Sequence, residues 1–276
     1  MARIVGGFCV PHNPLITGKP DAASQAQATR VQAAYQDVRD GIEALNADTV
    51  VVVGDDHCAM FAPGCQPSIL IGIGDLEGPL EPESWLRIPR RHVANNCGLA
   101  EHILHFGLEH GFDWAVAKTL VLDHSTMVPL HLAVPAHVRA IPVYISSGMT
   151  PLIRGERCRQ LGKMISSAIS EWAGDERVVI IGTGGISHWV GMSDSGRVNV
   201  SFDKMILELV QAGDVDALVA LSDQKIIDEG GNGALEIRNW ITAMAAVPGC
   251  ACRLIAYEPV EPWITGLGFI EMSSDV

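Results

Sequence analysis

Four side chains that can bind a metal or move a proton lie in segments rich in glycine and proline. The segments are Val10-Pro11-His12-Asn13-Pro14, Gly54-Asp55-Asp56-His57, Gly182-Thr183-Gly184-Gly185-Ile186-Ser187-His188 and Gly233-Ala234-Leu235-Glu236. The three histidines follow predicted strands, and Glu236 opens a predicted helix. Two imidazoles and one carboxylate form the ligand set of non-haem Fe(II) oxygenases, which leave coordination positions open for substrate and O₂. A further histidine beside such a centre could move protons. This pattern makes the four residues candidates for a metal site and its proton transfers.

Each of these residues also has a purely structural interpretation. His12 and His57, taken singly, are loop histidines bonded to backbone, and Glu236 alone is an acidic residue favoured by the helix dipole. Both histidines lie just past the carboxyl ends of short buried strands, where ligands bind in open α/β sheets. That shared placement favours a ligand pair. Asp55 and Asp56 either orient His57 or a neighbour, or are turn residues at the end of the strand.

Two further motifs lie at the ends of predicted strands. Gly184 and Gly185 resemble a phosphate-binding loop, but there is no G-x-G-x-x-G spacing and no lysine follows. Close approach of the backbone to a ligand or metal explains the glycines better, and His188 would then project into the cleft of the ligand candidates. Asp123-His124 adds another histidine to this group. The other histidines of predicted helices and loops are expected to have surface or core roles: His102, His105, His110, His131 and His137.

Missing motifs and the charge balance exclude several classes of function. The chain contains no G-x-S-x-G nucleophile elbow, no Walker A loop and no H-E-x-x-H helix. Its formal net charge is −13, from 19 basic and 32 acidic residues. This argues against nucleic acid and anionic membranes as partners, because both reward clustered cationic side chains. A small anionic substrate stays possible, since it needs only one local cation.

Cysteine usage and hydropathy indicate the compartment. The seven cysteines are irregularly spaced, which favours reduced thiols in a reducing environment. The N-terminal residues lack the apolar segment of a signal peptide, and no uninterrupted apolar run reaches the length of a membrane span. We therefore expect a cytoplasmic protein.

Strands and helices alternate along the sequence. Residues 49–54 and 177–181 are continuous apolar runs rich in β-branched residues, typical of strands covered on both faces. Apolar spacing predicts a helix over residues 22–45. The alternation predicts the fold class α/β, with a single three-layer α/β/α domain over residues 1–276 and a mixed, largely parallel central sheet. Such a sheet would bring the polar strand ends to one edge.

Prolines mark two irregular regions. Pro142 falls within a predicted strand over residues 138–146 and favours an edge position or a bulge. Residues 74–91 contain Pro79, Pro82 and Pro89 and are predicted to form a long irregular connection, of the kind that often carries function.

Taken in order, the motifs resemble the class III extradiol ring-cleavage dioxygenases. That family includes the protocatechuate 4,5-dioxygenase β subunit, gallate dioxygenases and 2,3-dihydroxyphenylpropionate 1,2-dioxygenase. The resemblance covers nearly the whole chain. It rests on His12-x-Pro14, Asp56-His57, Leu122-Asp123-His124 with Pro129-Leu130, Gly182-x-Gly184-Gly185-x-Ser187-His188, Glu236-Ile237-x-x-Trp240 and the tail Glu261-Pro262-Trp263-Ile264-x-Gly266-x-Gly268.

The resemblance implies a complete catalytic site. It implies that His12, His57 and Glu236 bind Fe(II), that His188 is the acid/base histidine and that His124 is the second active-site histidine. The implied reaction is extradiol cleavage of a catecholic acid such as protocatechuate, gallate or 2,3-dihydroxyphenylpropionate by O₂, in aromatic compound catabolism. The implied assembly is a homo-oligomer or a complex with a small helical subunit. Two alternatives stay open: a non-catalytic metal-binding or scaffold protein on the same fold, and a zinc enzyme that uses the same residues.

Overall fold

Nine strands form one sheet within residues 1–274, the part of the chain that the computed structural model describes. The strands are β1 Arg3–Val10, β2 Thr49–Gly54, β3 Ile69–Gly78, β4 Arg91–Val93, β5 Ala115–Val121, β6 Arg139–Ile145, β7 Arg177–Thr183, β8 Ala251–Val260 and β9 Thr265–Ser273. The helices are α1 Leu15–Gly18, α2 Gln25–Ala44, α3 Cys97–Glu109, α4 His124–Leu132, α5 Gly155–Glu171, α6 Val200–Gln211, α7 Val215–Ala220, α8 Asp223–Gly230 and α9 Ile237–Ala246. Short 3₁₀ turns lie at Pro20–Ala22, Glu81–Leu86, Gly233–Glu236 and Glu261–Trp263.

The sheet is mixed, and its centre is parallel. Its strand order is β4-β3-β6-β2-β7-β1-β9-β8, with β5 paired to β3. The four central strands β6, β2, β7 and β1 run parallel, whereas β4, β9 and β8 join by antiparallel pairing. The predicted α/β fold with a mixed sheet is confirmed. The carboxyl ends of the central strands therefore meet at one edge, which is where ligands bind in such sheets.

Hydrophobic cores cover both faces of the sheet, which makes three layers. Alternate valines of β2 enter different cores: Val51 and Val53 pack in one, Val50 and Val52 in the other. This explains why the strand is continuously apolar, since a strand buried on both faces has no solvated side. The helix predicted at residues 22–45 begins at Gln25, after a capping box in which the Ser24 side chain accepts from Gln27 N.

The inference drawn from Pro142 is wrong. Pro142 pairs with Val52 inside the sheet, because β6 lies between β2 and β3. Pairing between β6 and β3 ends at Val143 opposite Ile71, so Pro142 falls just outside that ladder. A proline is tolerated at an interior strand where its missing N–H has no ladder bond to make.

Candidate active site

The predicted site residues meet at the carboxyl edge of the sheet. His12 follows β1 after one residue, His57 lies three residues past β2, and His188 lies five past β7. His124 begins α4, directly after the loop that leaves β5. Glu236 ends the 3₁₀ turn before α9, a helix that packs on β7. Residues separated by more than 200 positions in the sequence are therefore brought together by the order of the strands.

Three side-chain atoms converge on one point. His12 Nε2 lies 3.3 Å and His57 Nε2 3.1 Å from Glu236 Oε1. His12 Nε2 is buried and forms no hydrogen bond. Ligand atoms that bind one metal ion at about 2.0–2.2 Å are about 3 Å apart, so the spacing fits a single cation. The arrangement leaves a buried imidazole nitrogen that a metal would satisfy.

Each of the three side chains has a second polar atom with a hydrogen-bonding contact of its own. Thr183 Oγ1 lies 2.9 Å from His12 Nδ1, and Asp123 Oδ2 lies 3.5 Å from His57 Nδ1. The backbone N–H of Gly185 donates to Glu236 Oε2 at 2.7 Å. Such contacts fix the orientation of a ligand and, for histidine, which nitrogen faces the metal.

Glycines beside His188 and Glu236 allow the backbone to pack closely against these two side chains. Gly184 has φ +148°, and a Cβ built there would lie 2.7 Å from Glu236 Cβ. A Cβ on Gly233 would lie 2.1 Å from His188 Nε2. Side chains at either position would displace a residue of the site, which is the physical reason for glycine.

Acidic groups dominate the electrostatics of the cluster. Burial lowers the pKa of His57, but the facing carboxylates, Asp55 first, outweigh it and raise the pKa well above its usual value. Burial raises the pKa of Glu236, but His12 and His188 outweigh it and hold the pKa well below its usual range. Three carboxylates thus face His57, and a bound cation would balance their charge.

A second set of three donors shares two of these residues. His12, His57 and His124 also offer nitrogens within 4.8 Å of one another, and a separate group of Glu83, Asp123 and His124 offers two carboxylate oxygens and one nitrogen at the same spacing. The His124 ring lies 4.3 Å from the His57 ring, centroid to centroid. Geometry alone therefore leaves two ligand sets that contain both His12 and His57: one with Glu236 and Asp55, and one with His124.

Both proton-transfer candidates are placed beside the cluster. His188 Nε2 lies 3.3 Å from Glu236 Oε1, and its Nδ1 lies 3.2 Å from the carbonyl oxygen of Ile186. Burial lowers the pKa of His188, but Glu236 outweighs it and the pKa is raised. His124 Nδ1 lies 2.5 Å from Glu83 Oε1, and both residues are buried.

Local sequence did not predict the Nδ1 partners of His57 and His124. Asp123 contacts His57 Nδ1, whereas Asp55 Oδ2 lies 3.8 Å from the other ring nitrogen, His57 Nε2. Asp55 also accepts from Ser147 Oγ at 2.8 Å and from Asn239 Nδ2 at 2.9 Å. The Asp56 carboxylate accepts three backbone N–H bonds from residues 59–61, so its turn interpretation holds. Glu83 lies in the proline-containing connection predicted to carry function, which was the one available signal for it.

Two cavities adjoin the cluster. The histidine cavity, of about 200 Å³, is lined by His12, His124, His188, Ile264 and Thr265 among others. The sulfur cavity, of about 240 Å³, is lined by Cys58, Gly148, Met149, Asp55 and Asp56 among others. The two share His57, Val190 and Glu236 as a common wall. Both cavities therefore border the cluster.

Residues 6–268 match the model of one protein family, the catalytic LigB subunit of aromatic ring-opening dioxygenases. The chain belongs to the LigB family. It is therefore an extradiol ring-cleaving dioxygenase, an enzyme that acts on a small aromatic substrate with O₂. This membership confirms the resemblance and the enzymatic interpretation, and it overturns the scaffold alternative.

Two curated relatives of this LigB chain carry the same name. It is 27% identical to the 2,3-dihydroxyphenylpropionate/2,3-dihydroxicinnamic acid 1,2-dioxygenase of Burkholderia vietnamiensis, over 94% of each chain. It is 28% identical to the enzyme of that name from Mycolicibacterium smegmatis, over 87% of this chain and 88% of the other. The crystal structure of an uncharacterized Escherichia coli K12 protein superposes with a TM-score of 0.62 at 10% identity, covering 98% of this chain and 100% of that one. That likeness supports the fold alone. In the described part of this LigB chain, no helix is long and apolar enough to cross a membrane.

Proposed function

We propose that this dioxygenase binds one Fe(II) per chain through His12, His57 and Glu236 and cleaves the ring of a catecholic acid beside its two hydroxyl groups. The observation that carries the proposal is His12 Nε2, which is buried without a hydrogen-bond partner 3.3 Å from Glu236 Oε1. Two imidazoles and one carboxylate are the donor set of non-haem Fe(II) oxygenases. Glu236 is preferred to His124 as the third ligand because it faces both other nitrogens and its second oxygen is fixed by Gly185.

The metal, when bound, would supply a template for catechol and O₂ and stabilise developing negative charge. The protein's own residues then orient the substrate and move its protons. His188 accepts a proton from a catechol hydroxyl at Nε2, since its Nδ1 is directed to the Ile186 carbonyl oxygen. His124 presents its Nε2 to the histidine cavity, because Glu83 occupies its Nδ1. Two histidines that line the same cavity can first remove and later return protons near neutral pH.

The substrate class follows from the relatives and from the site. The relatives quoted above are named for 2,3-dihydroxyphenylpropionate, and the sequence resemblance extends to protocatechuate and gallate enzymes. We propose a catecholic acid of this group, consumed in aromatic compound catabolism. We also propose that residues 1–276 act as one catalytic domain, in a homo-oligomer or with a small helical subunit. Light scattering of the purified protein, alone and with candidate subunits, tests the assembly.

The decisive experiment combines metal analysis with O₂ uptake. Protein purified without O₂ is loaded with Fe(II) or with Zn(II), and uptake is followed with catechol, protocatechuate, gallate and 2,3-dihydroxyphenylpropionate. We expect uptake with Fe(II) only, and a ring-opened product that contains both oxygen atoms and absorbs strongly in the near ultraviolet or visible range. A muconate-type diacid, or turnover supported by Zn(II) alone, would refute the proposal.

A further inference from the structure

Cys250 and Cys252 form a close pair of thiols outside the candidate active site. Their Sγ atoms lie 3.3 Å apart, at the point where the turn after α9 enters β8. Neither residue lines the histidine cavity or the sulfur cavity. The pair is therefore separate from the proposed dioxygenase chemistry and does not depend on it.

The backbone holds both thiols on one face of β8. Residues two positions apart on a strand point to the same side, and both cysteines are half-buried against the core whereas Ala251 between them is exposed. Cys252 lies opposite Met272 of β9, and Ser273 Oγ donates to the carbonyl oxygen of Ala251 at 3.2 Å. The pairing with β9 therefore keeps the two sulfur atoms within reach of one another.

The chemistry of this pair differs from that of the fully buried cysteines. Burial raises the pKa of the Cys9 thiol well above its usual value and raises the pKa of Cys158 to about 12, so both stay protonated and inert. At Cys252, a hydrogen bond from the Cys250 thiol lowers the pKa, although burial opposes it. Because the thiolate is the nucleophilic form of cysteine, Cys252 is the more reactive sulfur and Cys250 lies beside it as a resolving thiol.

The spacing of the sulfur atoms favours a disulfide over a metal site. Two thiolates on a tetrahedral zinc, each about 2.3 Å from the metal, lie about 3.8 Å apart. Within residues 1–274, no group of three possible metal ligands includes either cysteine. To reach the bond length of a disulfide, the sulfur atoms need to approach by only about 1.3 Å. Alternate strand residues have Cα atoms about 6.4–6.8 Å apart, at the upper end of the range for disulfides, so the bond should be easily reduced.

We infer that Cys250 and Cys252 are a reversible redox-modification site, which a hydroperoxide oxidises to an intramolecular disulfide. The Cys252 thiolate attacks a peroxide oxygen, the O–O bond breaks, and the leaving oxygen takes up a proton. The Cys250 sulfur then attacks the sulfenic acid on Cys252, its proton goes to the leaving hydroxide, and water departs as the S–S bond forms. The two thiols together lose two electrons and two protons, which reduce the peroxide. Disulfides that form in reducing compartments are usually transient and redox-sensing.

Mass spectrometry after peroxide treatment tests the site. The purified full chain, as isolated and after removal of metal by a chelator, is treated briefly with hydrogen peroxide, alkylated and digested with trypsin. Cleavage after lysine and arginine gives a peptide of residues 239–253, in which Cys250 and Cys252 are the only cysteines. The peptide of residues 92–118 contains the exposed Cys97 alone, which makes it an internal control for a single thiol. A further sample is incubated with Zn(II) and desalted before alkylation.

The expected result is a modification confined to the pair. The peptide of residues 239–253 should lose both alkylatable thiols and the mass of two hydrogen atoms, while Cys97 stays alkylatable. Dithiothreitol should restore both thiols. Cys250→Ser should leave a sulfenic acid on Cys252 that a dimedone probe traps, and Cys252→Ser should leave Cys250 reduced. Thermal unfolding checks that both variants are folded, and the unmodified chain tests the disulfide without them.

Three results would overturn the inference. Oxidation of Cys97 while the pair stays fully alkylatable would mean that the pair is not the reactive site. A disulfide from Cys250 or Cys252 to another cysteine, in this chain or in a second copy, would contradict the pairing. Protection of both thiols from alkylation by Zn(II) would make the pair a metal site instead.

Discussion

Replacement of Glu236 by alanine separates the two ligand sets that the geometry allows. The Glu236→Ala variant removes the oxygen that faces both His12 Nε2 and His57 Nε2 at 3.3 and 3.1 Å. If Glu236 is a ligand, the variant keeps two imidazoles, and Fe(II) affinity should fall by well over the roughly 10–100-fold typical of losing an outer partner. His124→Ala is the matched control, since His124 completes the alternative set.

The effect of Glu236→Ala on the stability of the protein follows from the contacts that the variant loses. In the metal-free protein the variant loses the bond from Gly185 N to Glu236 Oε2, which is worth about 1.5–3 kcal/mol because the acceptor is charged. Burial raises the pKa of Glu236, but His12 and His188 outweigh it and hold the pKa well below its usual range, so the ionised carboxylate stabilises the metal-free fold at neutral pH. The metal-free variant loses this contribution and should be less stable than the unmodified metal-free protein. Fe(II) at a hundred times its Kd stabilises the unmodified protein by about 2.7 kcal/mol, a rise in Tm of about 5 °C.

The assay is thermal unfolding under anaerobic conditions, with and without Fe(II), alongside metal content after desalting. We expect the unmodified protein and His124→Ala to retain iron and to show the rise in Tm. Glu236→Ala should unfold below the temperature of the unmodified metal-free protein, and at the same temperature with and without Fe(II). Full iron occupancy in Glu236→Ala, together with its loss in His124→Ala, would refute the assignment and favour three histidine ligands.

Three further predictions concern protons. His188→Ala should retain iron and lower turnover by about 10²–10⁴-fold; loss of its iron would make His188 a ligand. Glu83→Gln should retain iron and lower kcat more than it raises KM, because His124 loses its charged partner, and an unchanged kcat would remove Glu83 from the site. In the metal-free protein, protonation of His57 stabilises the fold, because the pKa of His57 is raised well above its usual value. This contribution is fully present below the unfolded pKa of about 6.5 and is lost as the pH rises through the folded pKa. Chemical denaturation from pH 6 to pH 9 should show a decline that is smaller in His57→Gln, where the raised pKa of His188 still contributes.

The sequence predicted the strand ends better than it predicted their neighbours. His12 and His57 were identified because each follows a short apolar run, a local pattern that survives in the fold. The contact between His57 and Asp123 spans 66 positions and depends on β5 pairing with β3, which no local pattern encodes. Adjacent Asp55 does face His57, with its Oδ2 3.8 Å from Nε2, and its hydrogen bonds go to Ser147 and Asn239.

Loop and sheet position account for the other differences. Glu83 could not be singled out from the sequence, because it lies in a proline-containing connection. The path of that connection depends on contacts of the 3₁₀ turn Glu81–Leu86 with α1. Pro142 suggested an edge strand because strand propensities describe an average strand position. In the structure, the ladder between β6 and β3 ends at Val143, one residue from Pro142. Glu236 was found by its place at a helix start, but only the packing of α9 on β7 brings it to the histidines.

The hydrogen bond from Gly185 N to Glu236 Oε2 links the proposed metal ligand to the loop of the proton-transfer candidate. The same short loop carries His188, whose backbone is held by Gly230 and Gly233 on the segment leading to Glu236. A shift of the carboxylate on metal loading would therefore move the loop, and with it the histidine ring. His188 should act as an internal reporter of occupancy: with a diamagnetic ion such as Zn(II) in the site, its imidazole nitrogen resonances should change before any substrate is added.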